Sequence, residues 1–155
     1  MIYKLSAQDF EEPEYSLFAI HSVLEDFHLA FCINRELRLK LRKNPDALHV
    51  SAKAGEATFS RFSFYNENQD MEWDLIQNKQ EILDMEAQGG IFSGMTVSTT
   101  AYLLPEFAKV DYFLKIENSS GSVPDLAKKI KMIDRVSAAY VVDKTRIKSK
   151  NHLIF

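Results

Sequence analysis

The chain predicts one α+β domain spanning residues 1–155, with a mostly antiparallel sheet, two main helices on one face and a C-terminal strand-helix-strand unit. Three observations carry that expectation. Period-two hydrophobic stretches recur through the middle of the chain, as half-buried strands require. Two of them, Ala57 to Tyr65 and Met71 to Ile76, flank the polar run Asn66-Glu67-Asn68-Gln69-Asp70 in the manner of a hairpin. Only the segments near 22–37 and 122–133 repeat apolar residues at helical spacing over more than two turns. At 155 residues, two independent cores would each be too small to stand alone. Hydrophobic residues at 46%, with eleven Phe, six Tyr and one Trp, supply enough apolar volume for a core without disulfides.

Taken in order, residues 2–5 alternate as a short first strand, and Glu11-Glu12-Pro13-Glu14 reads as a turn. Ser22-Val23-Leu24-Glu25 fits a capping box, so a helix is expected from about Ser22. Its apolar stripe is read as Leu24, Phe27, Phe31 and Leu37, with Val23 and Ala30 beside it. Arg38 to Arg42 then alternates leucine with cations, and Leu48 to Ser51 reads as a strand. In the arm 71–76, Met71, Trp73 and Leu75 share one face and Glu72 and Asp74 the other, which predicts Trp73 in the core and the two acids in water. A short helix is expected at Glu81 to Ala87, followed by a glycine-rich turn at 89–94. Strands are expected at Thr96 to Leu104, Val110 to Ile116 and Ser137 to Val142. Between the last two lies a helix capped by Ser122, with Val123, Leu126, Ile130 and Ile133 on one face. If both flanking strands join one sheet, parallel pairing through a right-handed crossover is expected.

The formal net charge is −3, but it is unevenly placed. Residues 125–155 hold eight basic and three acidic residues, a net +5, which leaves 11 basic and 19 acidic residues, a net −8, in the rest. Such asymmetry marks chains with charged partners. Cys32 is the only cysteine and cannot form an internal disulfide, which favours a reducing compartment. The first ten residues lack the apolar run of a signal peptide, and no stretch reaches the roughly 18 apolar residues of a membrane span. A cytoplasmic protein with no membrane partner is therefore expected.

The most distinctive segment is Leu104-Pro105-Glu106-Phe107-Ala108-Lys109-Val110-Asp111-Tyr112. Proline lacks a ladder donor and pushes Leu104 toward extended geometry, so a strand ends there and Pro105 opens one helical turn. Glu106 then stands at the positive end of that turn, and the chain re-enters a strand at Val110. A structural corner is the expected use of Pro105, Glu106 and Asp111. Alternatively Glu106, Asp111 and Tyr112 line a site, since two carboxylates and a phenol suit acid-base chemistry. The segment resembles the signature of the IPExxxVDY family of small uncharacterised bacterial proteins, matching at Pro105, Glu106, Val110, Asp111 and Tyr112 and departing at Leu104, where the signature has isoleucine. The resemblance implies a compact, bacterial, cytoplasmic protein and brings no activity with it.

A second candidate is the run Lys144, Arg146, Lys148 and Lys150, whose cations would face one way on an extended strand and meet phosphates of a nucleic acid. Edge strands also carry lysines simply to block pairing, and the acidic remainder weighs against nucleic acid. His21, Glu25 and His28 share helical spacing but lack a further ligand, so no metal site is expected. Cys32, four residues after His28, has no acid to orient the histidine and reads as a buried helix cysteine. The glycines at 89, 90 and 94 match no nucleotide-binding pattern, and no cofactor is expected. The resulting reading is a non-catalytic module that binds a protein or small ligand, with homodimerisation through an edge strand as one form of that binding. The alternatives are phosphate binding at 144–150 and a small enzyme using Glu106, Asp111 and Tyr112.

Overall fold

The computed structural model describes residues 14–52, 55–84, 97–118 and 123–155. The expected first strand at 2–5, the Ser122 cap and the glycine-rich 89–94 turn lie outside them. The elements are β1 (Tyr15–Ser22), α1 (Asp26–Leu37), β2 (Arg42–Lys43), β3 (Leu48–Ala52), β4 (Gly55–Phe59), β5 (Arg61–Asn66), β6 (Met71–Gln77), β7 (Lys79–Asp84), β8 (Val97–Tyr102), β9 (Tyr112–Glu117), α2 (Val123–Lys131) and β10 (Val136–Val141). Short 3-10 turns cover Pro105–Phe107, Lys144–Arg146 and Lys150–Leu153.

Six strands form one sheet in the order β10-β1-β9-β6-β5-β2, and every neighbouring pair is antiparallel. The hairpins β3–β4 and β7–β8 stand apart from it. On one face, α1 and α2 press Leu29, Ile33 and Ile130 onto Phe18, Ile20, Trp73, Leu75, Leu114 and Ile116. The opposite face of the same strands, through Leu17, Ala19, Ile76 and Phe113, meets Ala57 and Phe59 of β4, the Leu103–Val110 corner, and Ile147 and Leu153 of the C-terminal turns. The α+β class with two helices on one face thus stands. Trp73 is in the core as expected, and its indole Nε1 has no hydrogen-bond partner among the described residues.

Several expectations need correction. Strands β9 and β10 do flank a helix in one sheet, but β1 lies between them and is antiparallel to both, so they form no parallel pair. Leu17, Phe18, Ala19 and Ile20 of β1 are all fully buried, and a strand apolar on both faces belongs at a sheet centre rather than its rim.

Helix α1 begins at Asp26, not Ser22, which ends β1. The Ser22 hydroxyl accepts from Leu24 N (3.1 Å) and donates to Arg135 O (2.9 Å), a local turn rather than a capping box. The helix is also rotated relative to the expected stripe. Leu29, Ala30, Cys32 and Ile33 face inward, while Val23, Phe27 and Phe31 are exposed. Two apolar stripes compete in this sequence, and the observed rotation lets the Asn34 amide bond both the N–H (2.8 Å) and the carbonyl (3.1 Å) of Leu41 in the chain that follows the helix.

The single strand expected over 57–65 divides at Ser60, whose hydroxyl donates to Asp26 Oδ2 (2.6 Å), so that β4 leaves the main sheet and β5 joins it. The helix expected from Glu81 is strand β7, paired with β8 from Lys79 opposite Tyr102. Asp74 does not share the wet face with Glu72; it is 2% exposed. The segment 144–150 is no strand. Asp143 caps the first 3-10 turn by accepting from Thr145 N (3.0 Å), and buried Ile147 and Leu153 anchor the two turns.

Candidate functional site

A cleft of about 400 Å³ opens at one end of the sheet, where β1 passes into α1. Ser22, Glu25, Asp26, Gln77, Lys79, Asp111 and Tyr112 line it. Asp111 reaches it because its backbone still belongs to the ladder, donating to Ile20 O (3.1 Å) and accepting from Asn78 N (3.0 Å). Its carboxylate accepts from Ser22 N (2.9 Å) and pairs with Lys79 Nζ (3.0 Å). Tyr112 begins β9, and its hydroxyl donates to Leu24 O (2.6 Å). Burial, followed by the nearby Asp26, Asp111 and Glu25 carboxylates, pushes that hydroxyl up to about 12, so it stays protonated through the neutral range.

Glu106 is not part of this cleft. Its carboxylate accepts from Lys148 N and Ser149 N, both at 2.7 Å, and from the Ser149 hydroxyl at 3.0 Å. Burial would raise its pKa, yet bonds from the Ser149, Glu106 and Lys148 amides and the Ser149 hydroxyl outweigh that and hold it below its ordinary value. The residue therefore fastens the C-terminal turns to the corner, a longer reach than the cap of its own turn that sequence suggests. The corner has an internal hub that sequence reasoning missed. Asn78 is fully buried, and its side chain donates to Phe107 O (3.0 Å) and Val110 O (2.8 Å) and accepts from Leu104 N (2.9 Å). Its backbone adds bonds to Leu103 and Asp111. The segment 103–111 is wound around this one amide. An asparagine between the apolar end of one strand and the start of the next is a weak signal, because exposed turns use the same residue.

A second polar group lies between the sheet and the C-terminal turns. Lys115, 3% exposed, donates to Leu153 O (2.7 Å), pairs with Glu117 (2.9 Å), and lies 4.2 Å from the Phe155 ring centroid. Across the ladder it stands opposite Asp74, whose carboxylate also receives Ser63 and Arg61. Burial dominates at Asp74 and raises its pKa to about 6 against those favourable bonds. Lone charges inside Tyr112-Phe113-Leu114-Lys115-Ile116 and Met71-Glu72-Trp73-Asp74-Leu75 were the available sign of this arrangement.

The basic run is dispersed. Lys144 Nζ donates to Tyr15 O (2.6 Å), and Arg146, Lys148 and Lys150 sit on two separate turns and the link between them. His21 Nε2 is within hydrogen-bond distance of the Tyr140 hydroxyl (2.9 Å), Cys32 is a buried free thiol, and among the described residues no three of His, Cys, Asp and Glu converge on one point. Among the same residues no helix is long and apolar enough to cross a membrane. The fold and its clefts define an antiparallel α+β sheet protein with helices on one face and hairpins on the other. No family model, curated protein or solved structure matches the chain.

Proposed function

We propose that the chain is a non-catalytic binding module that docks a partner protein on the outer side of α1. The observation that carries this reading is the pair Phe27 and Phe31, 60% and 59% exposed, on a helix whose other side is core, with Val23, 85% exposed, in the link that leads into it. The spacing of four residues stacks Phe27 and Phe31 along one line, and Arg35, another four residues on, holds its guanidinium 5.8 Å from the Phe31 ring centroid. Large apolar side chains exposed together beside a cation suit a partner segment with apolar anchors and a flanking carboxylate. Against an enzyme, the groups that the sequence offers as a site hold structure: Glu106 accepts from two backbone amides, Tyr112 donates to a carbonyl, and Asp111 accepts from Ser22 and pairs with Lys79. Against nucleic acid, the 144–150 cations do not line one strand but are divided between two turns and the link between them, Lys144 Nζ is bonded to Tyr15 O, and the rest of the chain is acidic. The resemblance of 104–112 to the IPExxxVDY signature, and with it a bacterial cytoplasmic setting, forms part of the proposal.

The test is a photo-crosslinking residue placed at position 27 and, as a control, at exposed Met132, with capture from the native cytoplasm. One protein adduct at position 27 and none at 132 is expected. The double variant Phe27→Ser/Phe31→Ser should unfold within about 0.5 kcal/mol of the wild type and lose the partner, whereas Asp111→Asn should keep it. Equal capture by the double variant, or loss of capture with Asp111→Asn alone, overturns the reading.

A further inference from the structure

The two edges of the six-stranded sheet are built differently. At one edge, β2 is two residues long, and both of them, Arg42 and Lys43, are exposed cations. Shortness and charge are how natural sheets prevent further pairing. At the other edge, β10 presents the six-residue run Val136-Ser137-Ala138-Ala139-Tyr140-Val141, with no charge and no proline. Tyr140 and Val141 are 43% and 44% exposed, and among the described residues no strand pairs with the outer side of β10.

The backbone of that edge has a definite parity. Val142 N donates to Leu17 O (2.8 Å), while Asp111 N donates to Ile20 O (3.1 Å) from the other side of β1. Leu17, Ala19 and His21 therefore turn their backbone groups toward β10, where they meet Val142, Tyr140 and Ala138. Ala139 and Val141 turn theirs outward, while Ser137 is the extra residue of a bulge where the register slips between His21 and Ser22, and its hydroxyl donates to His21 O (3.2 Å). We propose that the occupant of this edge is a second copy of the chain, with β10 antiparallel to β10 about a two-fold axis through Ala139. In that register Ala139 stands opposite its own copy as a hydrogen-bonded pair, and Val141 of each chain faces the bulge at Ser137 of the other, where the paired segment ends. The same register sets Ala138 against Tyr140, a small side chain against a large one.

Charge complementarity selects this register over its neighbours. Asp134 and Arg135, exposed and without an ion pair among the described residues, precede the strand, and Asp143 and Lys144 follow it. Antiparallel pairing centred on Ala139 brings Arg135, in the turn before the strand, toward Asp143, which caps the turn after it, twice over by symmetry. A slip of two residues in either direction moves Arg135 toward Val141 or Thr145 and away from Asp143. The result is one continuous sheet across two chains, closed at its outer ends by the two cationic β2 edges. This surface is separate from the α1 stripe.

Sedimentation equilibrium of the full chain should give twice the 17.8 kDa chain mass. Ala139→Pro, which removes the outward central N–H while leaving the β1 ladder intact, should give the single-chain mass and still unfold in one cooperative transition, at a melting temperature lowered only by the loss of the dimer. Arg135→Asp should raise the dimer Kd by about tenfold or more. Register is read by disulfide trapping in a Cys32→Ser background, independently of the proline variant. Ala139→Cys should cross-link to itself under mild oxidation, because opposed hydrogen-bonded residues lie about 5.5 Å apart. Neither Ala138→Cys nor Tyr140→Cys should do so alone, but a mixture of the two should cross-link. Phe27→Ser/Phe31→Ser should leave the dimer intact, which separates this inference from the docking reading. A single-chain mass for the wild type overturns the inference. So does a dimer that fails to trap at position 139, or one lost only in the α1 variant.

Discussion

The two faces of the central sheet are closed by different physics. Beneath the helices, contact is mainly apolar, from Phe18, Ile20 and Leu114 to Leu29, Ile33 and Ile130, with the Tyr112 hydroxyl bonded to Leu24 O and Trp73 Nε1 without a partner among the described residues. On the hairpin face, buried polar groups sit among the apolar ones: Asn78 winds the corner, Asp74 and Lys115 lie under the C-terminal turns, and Glu106 fastens those turns from outside. Non-directional burial tolerates exchange of one hydrophobe for another of similar volume. Directed bonds do not, because removing one partner strands the other in a dry environment. The helix face is thus held by volume and the hairpin face by residue identity.

The sharpest test of the helix face is Trp73→Ala, which should cost about 3–5 kcal/mol in denaturant melts through the cavity it leaves. Trp73→Phe should cost much less, since it fills most of the volume and removes a donor that has no partner. A similar loss for both variants would mean that this face depends on identity after all.

On the hairpin face, Asn78→Ala should cost about 2–3 kcal/mol by stranding Leu104 N, Phe107 O and Val110 O. The near-isosteric Asn78→Asp and Asn78→Leu should not restore it, since the first lacks the donors and the second lacks all polar atoms. Recovery in Asn78→Leu, measured by urea midpoint, would place this face in the same class as the other.

Asp74 adds a pH dependence whose sign follows from its shift. Its pKa is raised by folding from 3.8 to about 6, so the ionised carboxylate is disfavoured in the native state. Stability should therefore rise as pH falls through 6 toward 4, by about 1–2 kcal/mol between pH 7.5 and 5. Asp74→Asn keeps the acceptor for Ser63 and Arg61 and should flatten that slope. A slope unchanged in Asp74→Asn would assign it to another group.

The smallest effect is expected at the half-exposed Glu106. Glu106→Ala should cost about 0.5–2 kcal/mol, as lost caps do, and Glu106→Gln should recover part of it. Because this carboxyl is lowered by folding, its contribution should be present at neutral pH and fade as pH falls through its folded value, opposite in sign to Asp74. Stabilisation by Glu106→Ala would instead mark a strained functional carboxylate.

Read alone, the chain determined its class. Alternation placed Met71, Trp73 and Leu75 inward, Pro105 ended a strand, and Ile130 marked the inner face of α2, with Ile133 buried just past its end, because side-chain period and proline geometry are local properties. The rotation of α1 was not local. Leu29 and Ile33 competed with Phe27 and Phe31 for the sheet, and the rotation observed is the one compatible with the bonds of Asn34 to Leu41, seven residues on. Nor did sequence tell that β1 would separate β9 from β10, that Asp74 would be buried opposite Lys115, or that Glu106 would reach Ser149 instead of joining Asp111 and Tyr112. Those outcomes depend on which surfaces meet across a hundred residues or between strands far apart in the chain. An isolated charge or amide carries no record of the partner that packing brings to it.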